Sequence, residues 1–467
     1  MMDDLSAKYA LSLSQQEILL EQLLHPRTSC YHVGGSLVIQ AGIKLDVMQQ
    51  VMHRLVELNP LLTAVLVQEG AEYKLEYGRV STQYFLDITA MEGLSLEEAE
   101  DYCRRDFSKP FDLHGSGPLY QIIGKSYSDR FLLYCKFHHI LLDGFAFQVL
   151  ASCFMDLYNQ LSAAPHEIPI IQLGDYQAYS QKTNGYLQSP QYQSDRLYWK
   201  EKLTPWLEED ALIGRIAERK ATSLTSKQLR LHYSQDVFNG LLGNLKEAGI
   251  NPFHYSLAIL GLAVCRAFHK KQFLLQVPIA NRSGYWEKRT LGHFASVIHV
   301  LIDTVTTTTV ESLVAAIGQD LRSSYKHQKF PVTHLHREFS DTKPLDQPFS
   351  EVMFSFEMQN LLQQFDGALA SGDVFHPSES RLPLNVTVRN HYADRDVSVE
   401  FTYQEEAIAV QEMKCLMASF HELFIGGLDA IKTPIDQLFG KISFLEKEEI
   451  DFQLNQLGAG VPLTGRV

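Results

Sequence analysis

The chain has 467 residues, 45% hydrophobic and 21% charged, and its 41 basic against 55 acidic side chains give a formal charge of −14. That length exceeds a single core, so two domains or lobes are expected, each able to bury its own apolar interior. The acidic balance argues against nucleic acid, whose binders carry a basic footprint, and no apolar run approaches the roughly 20 residues of a membrane span. Six cysteines (Cys30, Cys103, Cys135, Cys153, Cys265 and Cys415) are scattered without a Cys-x-x-Cys pair and fall mostly in apolar patterns, reading as reduced thiols of a cytoplasmic protein. The start, Met1-Met2-Asp3-Asp4, lacks the basic region of a signal peptide.

In chain order, a short extended entry leads to a helix capped by Ser14 with Glu17 in its first turn. Val33 to Ile39 reads as a strand. Asp46 caps a helix with Met48, Val51, Met52 and Leu55 on one face, ended by Asn59-Pro60. Strand-like pieces follow at Thr63 to Val67 and Tyr73 to Tyr77, then a Ser95-x-x-Glu98 capping box for a helix to about Arg105. Leu119 to Gly124 is expected to pair with Arg130 to Phe137, an apolar run suited to a strand covered on both faces.

That run ends in His138-His139-Ile140-Leu141-Leu142-Asp143-Gly144, after which Leu150, Cys153, Phe154, Leu157 and Leu161 recur at helical spacing. Two histidines thus lie at a strand end, with Asp143 and Gly144 in the turn before a helix. A neutral imidazole there suits acyl transfer, taking a proton from an attacking amine or hydroxyl near working pH. Asp143 is placed to orient the loop, and Gly144 lets a backbone N–H approach closely. A histidine satisfied within the core is the competing reading of the same residues.

From Ala164 to Lys200 the prolines and scattered aromatics give little helical period before Arg196, and the segment reads as a crossover. Beyond it come a strand at Gln228 to Tyr233, a helix from Asp236 to Ala248, and a helix begun by Asn251-Pro252, a cap plus proline at the first helical position. Phe273 to Val277 is a strand followed by Pro278-Ile279-Ala280-Asn281-Arg282. Val310 to Leu321 forms a helix face. His327, His334 and His336 are not read as a metal site, because no acidic or cysteine partner has ligand spacing. Ser350 to Asn360 alternates as a half-buried strand, Leu362 to Asp373 reads as a flexible loop, two strands follow at Pro383 to Arg389 and Asp396 to Tyr403, and a helix covers Val410 to Leu423.

Seven segments in this order resemble the motifs of condensation domains of nonribosomal peptide synthetases, in the chloramphenicol acetyltransferase-like superfamily. His138 to Gly144 looks like their HHxxxDG motif, the Leu-Ser-x-x-Gln at the start like their opening motif, and Pro278 to Arg282 like their Pro-x-Ala-(Gly/Asn)-Arg. Gly292-His293-Phe294-Ala295-Ser296 resembles Gly-x-Phe-Val-Asn, with Ser296 where asparagine is frequent. Glu57 and Leu62 stand where the family's RHxxLRTxF motif has arginines, the largest departure.

The resemblance implies an α/β (α+β) fold of two chloramphenicol-acetyltransferase-like lobes forming a V-shaped pseudo-dimer. The N-terminal lobe would be 1–165, the crossover 166–200, the C-terminal lobe 201–445, and 446–467 the start of a linker to an adenylation-type domain. It implies amide formation by attack of a carrier-bound aminoacyl amine on a carrier-bound acyl or peptidyl thioester. His139 would be the catalytic group and the Gly144 N–H an oxyanion donor, with Ser296 positioning substrate. His138, Asp143 and Arg282 would be structural, Arg282 pairing with Asp143 as a bidentate guanidinium. No cofactor is expected on the domain itself; substrates would arrive on the phosphopantetheine arms of donor and acceptor peptidyl carrier proteins. The chain is expected to be a monomer, without nucleic-acid or membrane partners.

Epimerization, heterocyclization and plant-type relatives are separated by the absence of a Glu-Gly-His-Gly-Arg segment, of paired aspartates in place of the histidines, and of Asp-Phe-Gly-Trp-Gly. Two alternatives remain: a starter or free-standing acyltransferase using acyl-coenzyme A, and a non-catalytic recruiting domain. Only about eight residues precede the first motif, so the donor is expected on a separate protein, or the domain acylates a first amino acid.

Overall fold

The computed structural model describes residues 7–78, 86–114, 117–207, 223–341, 347–359 and 363–441. Its elements begin with β1 (Lys8–Ala10), α1 (Leu13–Leu24), β2 (His32–Ile39), α2 (Leu45–Leu58), a 3-10 turn at Pro60–Thr63, β3 (Val65–Glu69), β4 (Glu72–Glu76), α3 (Leu96–Phe107), β5 (Tyr120–Ser126), β6 (Phe131–His138), α4 (Gly144–Ala163), α5 (Tyr176–Tyr186) and α6 (Pro190–Leu203). They continue with β7 (Ser226–Tyr233), α7 (Gln235–Glu247), α8 (Pro252–Ala267), β8 (Gln272–Ile279), β9 (Ser296–Asp303), α9 (Val310–Lys326), α10 (Thr333–Glu338), β10 (Val352–Met358), β11 (Gln363–Phe365), β12 (Ala368–Val374), β13 (Leu384–Asn390), β14 (Val397–Gln404), α11 (Val410–Gly426) and α12 (Ile435–Lys441). This is the mixed α/β class expected. The 446–467 linker lies outside the described residues.

The chain forms two compact units, one of Met1–Gln193, Ala280–Ser296 and Leu361–Ser378, the other of Ser194–Ile279, Val297–Asn360 and Glu379–Val467. Two pieces of the 201–445 stretch therefore pack within the first unit.

In the first unit, β11-β12-β2-β6-β5 form an antiparallel sheet whose central strands, β2 and β6, pair from Ile39 opposite Phe131 to His32 opposite His138. Phe131, Leu133 and Phe137 point into a core shared with α2 and α4. Leu132 and Tyr134 point the other way, onto Ala99, Cys103 and Phe107 of α3. β6 is thus buried on both faces, which is why its sequence runs apolar without alternating. A side chain at Gly34 would place its Cβ 2.0 Å from the carbonyl oxygen of Cys135, so glycine there is what lets β6 close onto β2.

Four local expectations are corrected. The N-cap of α1 is Ser12, because Gln15 sits at the third helical position and completes a reciprocal capping box; the Ser14 hydroxyl points elsewhere. The N-cap of α2 is Lys44, which makes no side-chain capping bond, and Asp46 lies in the first turn, where its charge meets the positive helix end. The crossover holds α5 and α6, whose buried residues are so few (Tyr176 and Ser180; Asp195, Trp199 and Leu203) that no apolar stripe marks them.

The expected loop at Leu362 to Asp373 is the hairpin β11–β12, which adds to the edge of β2 from Ala370 opposite Ile39 to Val374 opposite Gly35. Its two-residue turn is Asp366-Gly367, with φ of 48° and 81°, the left-handed pair that an Asp-Gly hairpin turn requires. The capping box of Ser95 and Glu98 and the Asn251 cap before Pro252 form as expected.

In the second unit, six strands run β7-β14-β13-β10-β8-β9, with β10 parallel to both β13 and β8 and the β13, β14 and β7 pairings antiparallel. Helix α8 is buried along nearly its whole length and packs against α9 and α11.

Candidate active site

β6 ends at His138 and α4 begins at Gly144, so the histidine motif is the five-residue link between them. His138 is fully buried, and both of its ring nitrogens are spoken for. Ile140 N–H donates to Nδ1 at 3.1 Å, which leaves Nε2 to donate its proton to Gln22 Oε1 at 3.1 Å. This fixes a neutral Nε2–H tautomer, and burial, with His32 and His139 nearby, holds its pKa well below the usual histidine value. His138 therefore shapes the link and has no nitrogen left for chemistry.

His139 is only half-buried, and its backbone N–H donates to Tyr31 O at 2.7 Å. Its Nδ1 lies 3.1 Å from Nδ1 of His293, with the rings edge to face at 86°. Among the described residues Nε2 has no hydrogen-bond partner. Burial lowers the His139 pKa, while Asp143 and a hydrogen bond to its own main chain pull it upward. With Nδ1 engaged by His293, Nε2 is the ring nitrogen left for chemistry.

Asp143 caps α4, its Oδ1 accepting from Ala146 N–H at 2.7 Å. Its Oδ2 accepts from Phe294 N–H at 2.8 Å and Ala295 N–H at 3.0 Å. Arg282 meets the same carboxylate, with both side chains 1% exposed, but not as a two-nitrogen fork. Nη2 alone reaches Oδ1 at 3.0 Å and Oδ2 at 3.1 Å and also donates to Gly292 O at 3.0 Å, while Nη1 donates to Glu287 O at 2.5 Å and Thr290 O at 2.7 Å. The guanidinium also stacks 3.8 Å from the ring centre of Phe294. Arg282 is thus folded into its own loop, and that loop is fastened to the histidine link through Asp143.

The opening motif converges here too. Gln15 Nε2 donates to Ile140 O at 2.8 Å, and the Ser14 hydroxyl donates to His293 O at 2.8 Å. Tyr176 OH donates to that carbonyl at 2.5 Å and lies 2.9 Å from the Ser12 hydroxyl. Gly292 is required by this packing, since a Cβ there would fall 1.9 Å from the Tyr176 ring.

Gly144 is the first residue of α4, exposed, and a Cβ there would meet no atom within 4 Å. Its N–H is one of the helix-start amides without an intrahelical partner. Ser296 opens β9, half-buried, with no hydrogen bond to His139 among the described residues.

Glu57 is exposed and paired with Arg54 at 2.8 Å, whereas Leu62 is buried in the core, where an arginine would have to shed its water. In the second unit His327 pairs with Asp195 at 2.7 Å, and among the described residues no group of histidine, cysteine or carboxylate side chains is arranged to hold a metal ion. No single described helix is long and apolar enough to cross a membrane. Sequence reading missed His293, which occupied the variable position of its motif, and gave Tyr176, one of the aromatics of the crossover, no part in the site.

A family model described as the condensation domain matches residues 6–449. A plipastatin synthase of Bacillus subtilis is 24% identical over 464 residues, covering 97% of this chain but only 18% of that relative, so the chain spans less than a fifth of its length. A variant of the starter condensation domain of rhizomide synthetase, solved in complex with C8-CoA, superposes with a TM-score of 0.77 at 19% identity over 92% of this chain and 97% of that one. The first condensation domain of the calcium-dependent antibiotic synthetase, in complex with a substrate analogue, gives 0.77 at 17% identity over 93% and 99%. Those two likenesses establish the fold, and with a family model spanning nearly its whole length, the chain belongs to the condensation domain family.

Proposed function

We propose that the chain forms an amide bond between two thioester-borne substrates: the amine of an aminoacyl group on an acceptor carrier protein attacks the acyl or peptidyl thioester on a donor carrier protein. The observation behind this reading is the half-buried His139, whose Nδ1 is engaged and whose Nε2 has no hydrogen-bond partner among the described residues, five residues ahead of the exposed first residue of α4. Attack forms the C–N bond and puts negative charge on the carbonyl oxygen, for which the Gly144 N–H at the start of α4 is the proposed donor and the Ser296 hydroxyl a second. The nitrogen's proton passes to His139 Nε2. Collapse of the intermediate breaks the C–S bond, and the proton leaves His139 with the thiolate, so the products are amide and free thiol.

An α-amino group with a pKa of about 7.7 to 8.0 is partly neutral at pH 7, so proton removal is a modest share of the barrier. Holding the two reactants in line supplies more, up to about 7 to 11 kcal/mol. His139 accordingly both positions the amine and accepts its proton, while His138, Asp143 and Arg282 fix its place. The phosphopantetheine arms belong to the partners and are substrate here, and an adenylation domain is the expected neighbour beyond residue 446.

Intact mass spectrometry of carrier proteins offered in pairs tests this. With acceptors loaded with each proteinogenic amino acid and donors loaded with octanoyl or aminoacyl groups, at least one acceptor should gain the donor's acyl mass, and His139→Ala should abolish the gain. Transfer by His139→Ala at the wild-type rate overturns the assignment. A starter reaction drawing on acyl-coenzyme A is favoured by the C8-CoA bound to one structural relative. Octanoyl-coenzyme A replacing the donor carrier distinguishes it.

A further inference from the structure

Among the described residues His293 is the one ring that touches His139 through a nitrogen, and it comes from a loop far away in sequence. It is only 2% exposed, and three consecutive residues of its loop are held in place. The Gly292 carbonyl accepts from Arg282, the His293 carbonyl from Ser14 and Tyr176, and the Phe294 N–H donates to Asp143. The backbone that carries the ring cannot drift from its neighbour without breaking one of these.

Two Nδ1 atoms 3.1 Å apart allow one proton between them. We infer that His293 is a positioning residue for the reaction proposed above: its Nδ1 accepts the Nδ1–H of His139, so that His139 Nε2 is held as the proton acceptor and the imidazolium formed during reaction is stabilised. The Asp143–Arg282 clamp then acts on chemistry through His293 as well as through the α4 turn. Charged and titratable groups facing the pair support these roles. From its own turn Asp143 favours a proton on His139, whereas burial, His139, Arg282 from the same loop, and His138 from β6 all hold His293 neutral, with His32 on β2 acting on His138. Of the two rings, His139 is therefore the one that takes a proton. Replacing a neutral acceptor should lower the pKa of His139, and replacing a positive neighbour would raise it, so the sign of the change tests the role.

The test uses the full chain labelled with 15N-histidine, its His139 signals assigned by their loss in His139→Ala. The wild type should show His139 protonated at Nδ1. In His293→Leu the His139 pKa should fall by about one unit, as expected for losing a hydrogen bond to a charged group, and the rate of acyl gain on the acceptor carrier should fall about tenfold or more with KM unchanged. In His293→Asn, whose side-chain oxygen overlies the position of Nδ1, most of both losses should be recovered. An Nε2-protonated His139 in the wild type, or a pKa unchanged or raised in His293→Leu, overturns the inference whatever the rate does. His139→Ala acting at the wild-type rate would instead overturn the proposed reaction.

Discussion

A single nitrogen of Arg282, Nη2, bridges both carboxylate oxygens of Asp143 at 3.0 and 3.1 Å, while Nη1 donates to two carbonyls of its own loop. The pair joins two stretches 139 residues apart, and the carboxylate it satisfies also caps α4 and holds the Phe294 and Ala295 amides.

Arg282→Ala should therefore destabilise the first unit by about 3 kcal/mol or more, since it leaves a buried carboxylate and three carbonyls without their partner. Lysine cannot substitute, because one ammonium cannot reach five acceptors spread around a planar group. Urea unfolding of both variants checks this, and a loss below about 1 kcal/mol in Arg282→Ala would contradict the clamp.

Acid should weaken the fold from pH 6.5 downward. Burial depresses the pKa values of His138 and His293 well below 6.5, so the unfolded chain takes up protons that the native one refuses. Stability from these groups is complete above 6.5 and is lost as pH falls toward their native values, at about 1.4 kcal/mol per pH unit for each ring. Urea midpoints measured from pH 8 to 5 should be flat down to about 7 and then decline; a rise on acidification would show that the rings bind protons in the native state.

His299 in β9 gives a second handle on the same slope. It is 2% exposed, neither ring nitrogen has a hydrogen-bond partner among the described residues, and its pKa is pushed down to about 3. Packed edge-on against Trp199 and Phe349, it behaves as an aromatic with two orphaned polar atoms. His299→Phe should raise stability at pH 7 by about 1 kcal/mol and flatten the acid decline. Unfolding of the variant at pH 7 and pH 5 reads both, and a destabilised variant with an unchanged slope would mean the nitrogens are satisfied.

Two glycines near the histidines should respond in opposite ways. Gly292→Ala forces a Cβ into the Tyr176 ring and should lower stability by about 2 kcal/mol or more while displacing His293. Gly144→Ala meets nothing and should leave the unfolding midpoint within error, yet slow acyl transfer if substrate occupies the space over the helix start. Paired measurements of unfolding and of carrier acylation separate the two; an unstable Gly144→Ala would mean its glycine serves packing instead.

Much of the site could be read before any coordinates. The uninterrupted apolar run of β6, the doubled histidine at its end and the Asp-Gly pair before a helical period placed the link between strand and helix. The division of labour between the two histidines could not be read, because it depends on Gln22 and the Ile140 amide occupying both nitrogens of His138. The β11–β12 hairpin had a visible Asp-Gly signal, but its short strands gain their stability only by adding to β2. Helices α5 and α6 were hidden for a related reason: each buries a few residues against other elements instead of presenting a periodic face.

By itself the order of residues determined the family, the strand-to-helix turn and the two histidines, because hydrophobic period, turn chemistry and motif spacing are local properties. Tertiary structure decided which imidazole keeps a free nitrogen, that Arg282 meets Asp143 through Nη2 alone, and that His293 is the partner of His139. Those outcomes depend on which donor lies within about 3 Å of which acceptor, and that is settled only when segments more than a hundred residues apart are folded together.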